Sequence, residues 1–385
     1  MFRRSVNLPK NNSFFLFGAR GCGKTTLLKE SLPAEATRNI DLLLAANEDQ
    51  FRRSPDYLIS FVNALPDHVT TVVIDEIQKI PKLLDIVHHL MERDGMKKRF
   101  VLTGSNARKL HHGGANLLAG RAFTRYLFPL SLPELKDAFE VQAALRWGTL
   151  PKIFHLEEDE QRRDFLQSYA HTYLKEEIQA EQIVKKVDAF HRFLEVAAQS
   201  NGKLVNYSNI AKNTGVEDKT VKTFYEILDD TLLGFFLEPF HKSRRKRLKT
   251  APKFYFFDIG VARALARQLL VEPHPSTGYY GELFEQLVVL EVYRQEQYAN
   301  RDYRLSYMRT QDDTEIDLVI ERPGKPLVLV EIKSTAECKL ESLRGFHSLI
   351  ADFPDAECMI WSQDPRPQKM GRILALPWQE GLAAI

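Results

Sequence analysis

Short apolar runs alternate with amphipathic stretches over the first third of the chain. Residues 14–17 (Phe-Phe-Leu-Phe) are apolar throughout and run into a glycine-rich turn, and residues 24–29 read as the opening of a helix. Further strands are expected at 39–44, at Val72-Val73-Ile74 and at 100–102; the second of these is β-branched throughout, which suits the middle of a sheet. After Pro81, the apolar residues Leu83, Ile86, Val87 and Leu90 recur at helical spacing, and residues 126–128 are a candidate fifth strand. This alternation predicts a three-layer α/β arrangement, a parallel sheet covered by helices on both faces.

Beyond it, residues 157–186 are polar and helix-prone, and 191–238 are helical with turn signals at Asn201-Gly202 and Asn213-Thr214-Gly215. A first helix ends near Ser200, a short one covers 207–213, and a third starts near Asp218 and runs through Val221, Phe224, Ile227 and Leu228. That is the pattern of a winged helix, whose third helix can enter the DNA major groove. Here the third helix carries Lys219 and Lys222 but also Glu217, Asp218, Glu226, Asp229 and Asp230, so a structural or interdomain role is expected. The basic run at 242–249 is the better candidate for phosphate contact, with a solvated loop or a partner for acidic surface as its equal alternative. Strand character returns at 254–257, an apolar helix spans 281–294, and two strands at 316–320 and 327–332 flank the turn Arg322-Pro323-Gly324-Lys325-Pro326.

Composition narrows the picture. A chain of 385 residues suits two or three domains, and a net charge of +2 excludes a molecule that binds nucleic acid through its overall charge. Cys22, Cys338 and Cys358 are too few and too scattered for a disulfide framework or a zinc site. No apolar run reaches membrane-spanning length, so a soluble protein of the cytoplasm is expected.

Gly18-Ala19-Arg20-Gly21-Cys22-Gly23-Lys24-Thr25, with Thr26 behind it, matches the phosphate-binding loop in full and in context, after a strand and before a helix. Its backbone N–H groups and the helix N-terminus suit phosphate oxygens, Lys24 the β- and γ-phosphates of ATP, and Thr25 a Mg²⁺ ion. Val72-Val73-Ile74-Asp75-Glu76 supplies the second half, with Asp75 in the Mg²⁺ shell and Glu76 as the general base that polarises water. Ser105 and Asn106, at the end of the next strand, are placed to sense the γ-phosphate, and Arg121 or Arg125 is a candidate arginine finger toward a neighbouring subunit.

The loop, Asp75-Glu76-Ile77-Gln78, Thr103-Gly104-Ser105 and Ala119-Gly120-Arg121 resemble a family of prokaryotic AAA-type ATPases that join this ATPase to a C-terminal region of unassigned function. The resemblance extends over almost the whole chain, through Gly148-Thr149-Leu150-Pro151, Lys253-Phe254-Tyr255-Phe256-Phe257-Asp258-Ile259-Gly260 and Gly281-Glu282-Leu283-Phe284-Glu285. It implies an intracellular ATP-binding protein.

In the C-terminal part, Glu285 lies on an apolar helix where a carboxylate needs a partner, Asp317 sits on a strand, and Glu331 and Lys333 end the next one on the same side. If the two strands pair across the proline-glycine turn, Asp317 meets Glu331. Asp and Glu can hold Mg²⁺, and a lysine can position or activate water. The set resembles the restriction-endonuclease-like superfamily, with its helix Glu, strand Asp and Glu-x-Lys, and the resemblance implies catalytic roles for Glu285, Asp317, Glu331 and Lys333 with Asp317 and Glu331 as metal ligands. A satisfied ion-pair cluster is the structural alternative.

The expected organisation is therefore an AAA-type P-loop ATPase domain at 1–145, a helical linker and winged-helix-like domain at 146–250, and an α/β restriction-endonuclease-like domain at 251–385. The expected function is a Mg²⁺-dependent ATPase coupled to a nuclease-like domain that acts on nucleic acid, DNA before RNA, in a homo-oligomer and without a membrane. The alternative is an ATP-dependent signalling or scaffolding switch whose C-terminal domain binds a partner and cuts nothing. A small-molecule kinase is disfavoured, because Asp75-Glu76 and the polar turn suit water as nucleophile.

Overall fold

Five short strands, three of them almost wholly buried, build the first sheet: β1 (Ser13–Phe17), β2 (Thr37–Asp41), β3 (Thr71–Asp75), β4 (Arg99–Gly104) and β5 (Ala122–Tyr126). The computed structural model describes residues 2–93, 97–105, 118, 120–173, 187–241, 250–310, 314–337 and 344–385; Asn106, Ala119, Cys338 and the basic run at 242–249 lie outside them. Every pairing in this sheet is parallel, in the order β2-β3-β4-β1-β5. All residues of β1 and β3 are buried, as strands covered on both faces must be. The helix Leu83–Glu92 contributes Leu83, Leu84, Val87 and Leu90 to the core with Phe15, Phe17, Ile74 and Leu102, each such side chain stabilising by about 1.5–3 kcal/mol. β2 ends earlier than the apolar pattern of 39–44 predicts. Asp41 Oδ1 accepts the Leu43 N–H at 2.8 Å and turns the chain, leaving Leu43 and Leu44 54% and 57% exposed. The strand order reverses beside β1, which opens a crevice at the carboxyl ends of the strands.

The chain divides into two compact units, Met1–Leu130 with Ile227–Leu233, and Ser131–Glu226 with Gly234–Ile385. In the second, β6 (Gly234–Pro239), β7 (Lys253–Phe256), β8 (Arg304–Arg309), β9 (Glu315–Glu321), β10 (Val328–Lys333), β11 (Glu357–Ser362), β12 (Gln368–Met370) and β13 (Ile373–Pro377) form one mixed sheet, in the order β12-β13-β11-β10-β9-β8-β6-β7. β9 and β10 pair antiparallel across the turn read from the sequence, with Val330 opposite Leu318. The long helix is Gly278–Ala299, capped by Thr277, whose hydroxyl accepts the Tyr280 N–H at 3.2 Å, and ended by Asn300 in the left-handed conformation. Its Phe284, Leu287 and Val288 pack with Tyr307, Leu318, Val330 and Trp361.

The three helices of the middle stretch, Val187–Gln199, Tyr207–Thr214 and Asp218–Asp230, stand where the pattern puts them. Phe190 and Phe193 meet Phe224 and Tyr225 at ring separations of 4.9 Å. The boundary expected after residue 250 lies between β6 and β7, which pair antiparallel. The first part of β6 pairs with β7 and its last residues with β8, so this hairpin is hydrogen-bonded into the same sheet as the C-terminal strands.

A buried polar network explains two segments singled out in the sequence. Asp258 accepts the Thr149 N–H at 2.7 Å and, as helix N-cap, the Val261 N–H at 3.1 Å. Arg294 donates to the Thr149 hydroxyl at 3.0 Å, to Glu291 at 3.1 Å and to the Phe257 carbonyl at 2.9 Å, while Glu291 accepts the Leu132 N–H at 2.8 Å. Burial raises the Asp258 and Glu291 carboxyls, and these donors and Arg294 oppose it. Gly148, at φ +73°, passes so close that a Cβ there would lie 2.6 Å from Asp258 Oδ2 and from Gly260 N. Gly148→Ala should therefore lower the stability of this unit by about 2–4 kcal/mol, combining backbone strain with overpacking. Gly215, at φ +69° with nothing within 4 Å of its Cβ position, should cost only about 1–2 kcal/mol as Gly215→Ala. Urea unfolding measures both, and equal losses would show that the close approach is immaterial.

Candidate functional site

β1 delivers the phosphate loop to the carboxyl edge of the parallel sheet. Gly18 packs against the Leu127 carbonyl with no room for a side chain, and Gly21 and Gly23 take φ values of 81° and 93°, conformations glycine adopts without strain. Gly23 caps the helix Lys24–Ser31. Ala19 and Cys22 are buried, whereas Arg20, Thr25 and Thr26 are exposed. The Lys24 ammonium is buried and donates to the carbonyls of Gly18 at 2.6 Å and Ala19 at 3.5 Å. Thr25 Oγ1 donates to Asp75 Oδ2 at 2.9 Å, which joins the loop to the end of β3. A hydroxyl and a carboxylate in contact, beside a lysine at a glycine-rich loop and helix N-terminus, fit ATP with Mg²⁺.

The other end of the site is built by the turn after β3. Glu76 stands at φ 60°, a left-handed conformation that costs a non-glycine residue about 1–2 kcal/mol. Thr103 holds it there: its hydroxyl donates to Asp75 Oδ1 and accepts the Glu76 N–H at 3.1 Å. The Gln78 amide donates to Glu76 Oε2 and to Ser105 Oγ at 3.1 Å, and Ser105 Oγ lies 3.5 Å from the same carboxylate oxygen. Gly104 makes room for this amide, since a Cβ there would stand 2.7 Å from Gln78 Oε1, an atom buried without a hydrogen-bond partner. The structure thus brings Lys24, Thr25, Asp75, Glu76 and Ser105 together and adds Thr103 and Gln78. Arg121 lies at the surface of the same unit with its guanidinium 2.6 Å from Glu92, and Arg125 donates to the Asn7 carbonyl at 3.0 Å.

A second cluster forms in the other unit. Strand alternation puts Glu315 and Asp317 on one side of β9 and Lys253 and Tyr255 on one side of β7, and both sides meet Glu285 of the long helix. Lys253 Nζ is 2.8 Å from Glu285 Oε1 and also pairs with Glu315, and the Tyr255 hydroxyl donates to Glu285 Oε1 at 2.7 Å. Carboxylate oxygens of Glu285, Glu315 and Asp317 lie within 4.8 Å of one another, close enough to share a cation. Asp317 Oδ2 accepts the Ile332 N–H at 2.7 Å, and Lys333 donates to Glu331 Oε1 at 2.6 Å. Glu331 is adjacent to this trio rather than part of it, and its Oε2 is buried without a partner.

Burial, with the carboxylates of Glu331 and Glu285, pushes the Asp317 carboxyl well above the usual range, against Lys253 and the Ile332 N–H. Glu331 is also raised by burial, with Lys333 pulling the other way. Burial works to lower Lys333 and Lys253, but the surrounding carboxylates outweigh it and raise both. All four residues expected from the sequence are therefore in one place, while Lys253, Tyr255 and Glu315 went unrecognised. The two-residue spacing of Glu315 and Asp317 on a strand was the available signal for one of them; nothing local marks Lys253 as their partner.

Residues 10–136 match the family described as an AAA domain, residues 139–270 a domain of unknown function (DUF8612), and residues 280–380 another (DUF4143). An uncharacterised protein of Mycobacterium tuberculosis is 27% identical over 362 residues, covering 90% of this chain and 75% of that one. An uncharacterised protein of Haemophilus influenzae is 24% identical over 272 residues, covering 66% of this chain and 64% of its own length. Among solved structures, the ORC2 protein of Aeropyrum pernix in its ADP form aligns at 16% identity and a TM-score of 0.30, over 68% of this chain and 86% of that one. Among the described residues no helix is long and apolar enough to cross a membrane. The AAA match over residues 10–136, together with the phosphate loop and the Thr25–Asp75 contact, supports ATP binding and hydrolysis by the N-terminal part of the chain.

Proposed function

We propose that this chain is an ATP-switched protein whose C-terminal part is a metal-dependent, nuclease-like domain acting on nucleic acid, DNA before RNA. In this reading residues 1–145 are the ATPase, 146–250 a helical, winged-helix-like middle and 251–385 a restriction-endonuclease-like domain. The observation that carries it is the convergence of Glu285, Asp317, Glu331 and Lys333 on adjoining elements in a chain that also has a complete phosphate loop.

Lys24 and the loop N–H groups hold the phosphates, Thr25 and Asp75 hold Mg²⁺, and Glu76 takes the proton of the attacking water. The ion offsets phosphate charge when bound. Gln78 and Ser105 orient the Glu76 carboxylate, and Arg121 or Arg125 supplies charge to the nucleotide of a neighbouring copy. Lys24→Ala should abolish ATP binding. Glu76→Gln should keep ATP binding and slow turnover by roughly 10²–10⁴-fold, the usual worth of a general base. Nucleotide binding and phosphate release measure the two, and a Glu76→Gln protein that hydrolyses at the parental rate would remove Glu76 from this role.

In the C-terminal domain, Asp317 and Glu331, with Glu285 alongside, hold Mg²⁺, and Lys333 positions the water. Asp317→Ala and Lys333→Ala should each abolish Mg²⁺-dependent cleavage on single- and double-stranded DNA and RNA, and Lys24→Ala should change its response to ATP. Cleavage that persists unchanged in Asp317→Ala would sink the proposed site. The switch that binds without cutting is favoured by one observation, the Lys253 ammonium already seated among the carboxylates. It would give salt-dependent DNA binding and intact ATP turnover with no cleavage product.

A further inference from the structure

Lys253 opens β7, and its backbone is pinned on both sides, by pairing with Leu237 of β6 and by a bridge to Leu204. Only its four-carbon stem is left to move. The side chain is 6% exposed, with its ammonium against Glu285 and Glu315 and 5.6 Å from the centre of the Tyr307 ring. Beside it opens a cavity of 420 Å³, walled by Lys203, Leu204, Glu282 and Arg309 as well as by the cluster itself.

The trio of Glu285, Glu315 and Asp317, the first two paired with the ammonium, has the dimensions of a hard-cation site. Opposite oxygens on Mg²⁺ stand about 4.2 Å apart, twice the usual bond length, and these carboxylate oxygens lie within 4.8 Å of one another. Glu331, 9% exposed and with its Oε2 unpartnered, adds an unused acceptor next to Asp317. A divalent ion and an ammonium that draw on the same carboxylate oxygens repel each other and cannot both be seated.

We infer that Lys253 is a resident cation: its ammonium fills the metal position of Glu285, Glu315 and Asp317, and a divalent ion enters only when that ammonium swings into the adjoining cavity. This deepens, and rests on, the metal-dependent reading of the same cluster. It makes lysine displacement the step that arms the site. Whatever draws the ammonium outward, such as an anionic phosphodiester entering between Lys203 and Arg309, would favour metal entry.

The test is Mn²⁺ binding to the full chain, read from the loss of the free-ion paramagnetic resonance signal. All proteins carry Asp75→Asn to remove binding at the nucleotide loop. Lys253→Met should bind one Mn²⁺ on the order of tenfold or more tightly than the parent, about 1.4 kcal/mol. Lys253→Gln, which keeps an N–H donor and guards against loss of folding, should move the same way, and Lys253→Arg should stay at the parental value. The gain should vanish in Lys253→Met combined with Asp317→Asn. Equal Asp317-dependent affinity in the parent and both neutral variants overturns the inference and leaves the metal-dependent reading standing. Absence of Asp317-dependent binding in all of them overturns both.

Discussion

A carboxylate taken out of water has to be met by a cation or by N–H and O–H donors, and the chain is organised around that requirement. In the second unit Glu291 and Arg294, 0% and 2% exposed, face each other, and Asp258 takes backbone N–H groups from Thr149 and Val261. Leaving either partner of such a buried pair alone costs about 3–5 kcal/mol. Gly148 and Gly260 are small because this network draws two chain segments together at that point. The segments Gly148-Thr149-Leu150-Pro151 and Phe257-Asp258-Ile259-Gly260 look like functional motifs in one dimension, but in space they are two sides of one structural junction.

The same requirement shapes the nucleotide site differently. Asp75 and Glu76 are adjacent carboxylates, and the backbone separates them by turning Glu76 to φ 60°. Asp75 then faces Thr25 and Thr103, and Glu76 faces Gln78 and Ser105. In the proposed roles, an acid that serves a metal and an acid that serves a water would need different surroundings, and the strained turn gives the two carboxylates different neighbours. Because Ser105 touches the group that orients Glu76, a sensor of the γ-phosphate and the base would share one hydrogen-bonded unit. A change at one would be felt at the other through Gln78, whose buried and unpartnered Oε1 marks the unit as incompletely satisfied.

Much of this was legible in the order of the residues. The phosphate loop, the acidic pair after β3 and the middle helices are local patterns, and their chemistry follows from neighbours in sequence. The β9–β10 pairing was legible because Pro323-Gly324 forces a turn and the alternation sets the faces. Pairings across long separations were not. Lys253 meets Glu285 and Glu315 only because the paired β6 and β7 join a sheet whose remaining strands begin at Arg304, a topology no local periodicity encodes. Gln78 was visible as part of Asp-Glu-Ile-Gln, but its hold on Glu76 depends on a backbone conformation that a glutamate rarely adopts.

The two lysines of the C-terminal cluster then separate by geometry. Lys333 lies two residues from Glu331 on one strand and pairs with it at 2.6 Å, so each offsets the other's charge. Lys253 instead bridges Glu285 and Glu315 from a different strand, and the remaining acid, Asp317, is pushed toward its neutral form by burial and by the carboxylates around it. A purely structural cluster would be expected to finish with its acids matched. This one finishes with an Asp317 pushed toward its neutral form and an unpartnered Glu331 oxygen. Lys253, Lys333 and Arg309 supply the positive charge that meets this cluster, and on the metal-dependent reading proposed above a divalent ion would take the place of one of them. On that reading the unmet acidity of the cluster, more than the presence of a Glu-x-Lys motif, is what suits it to a metal.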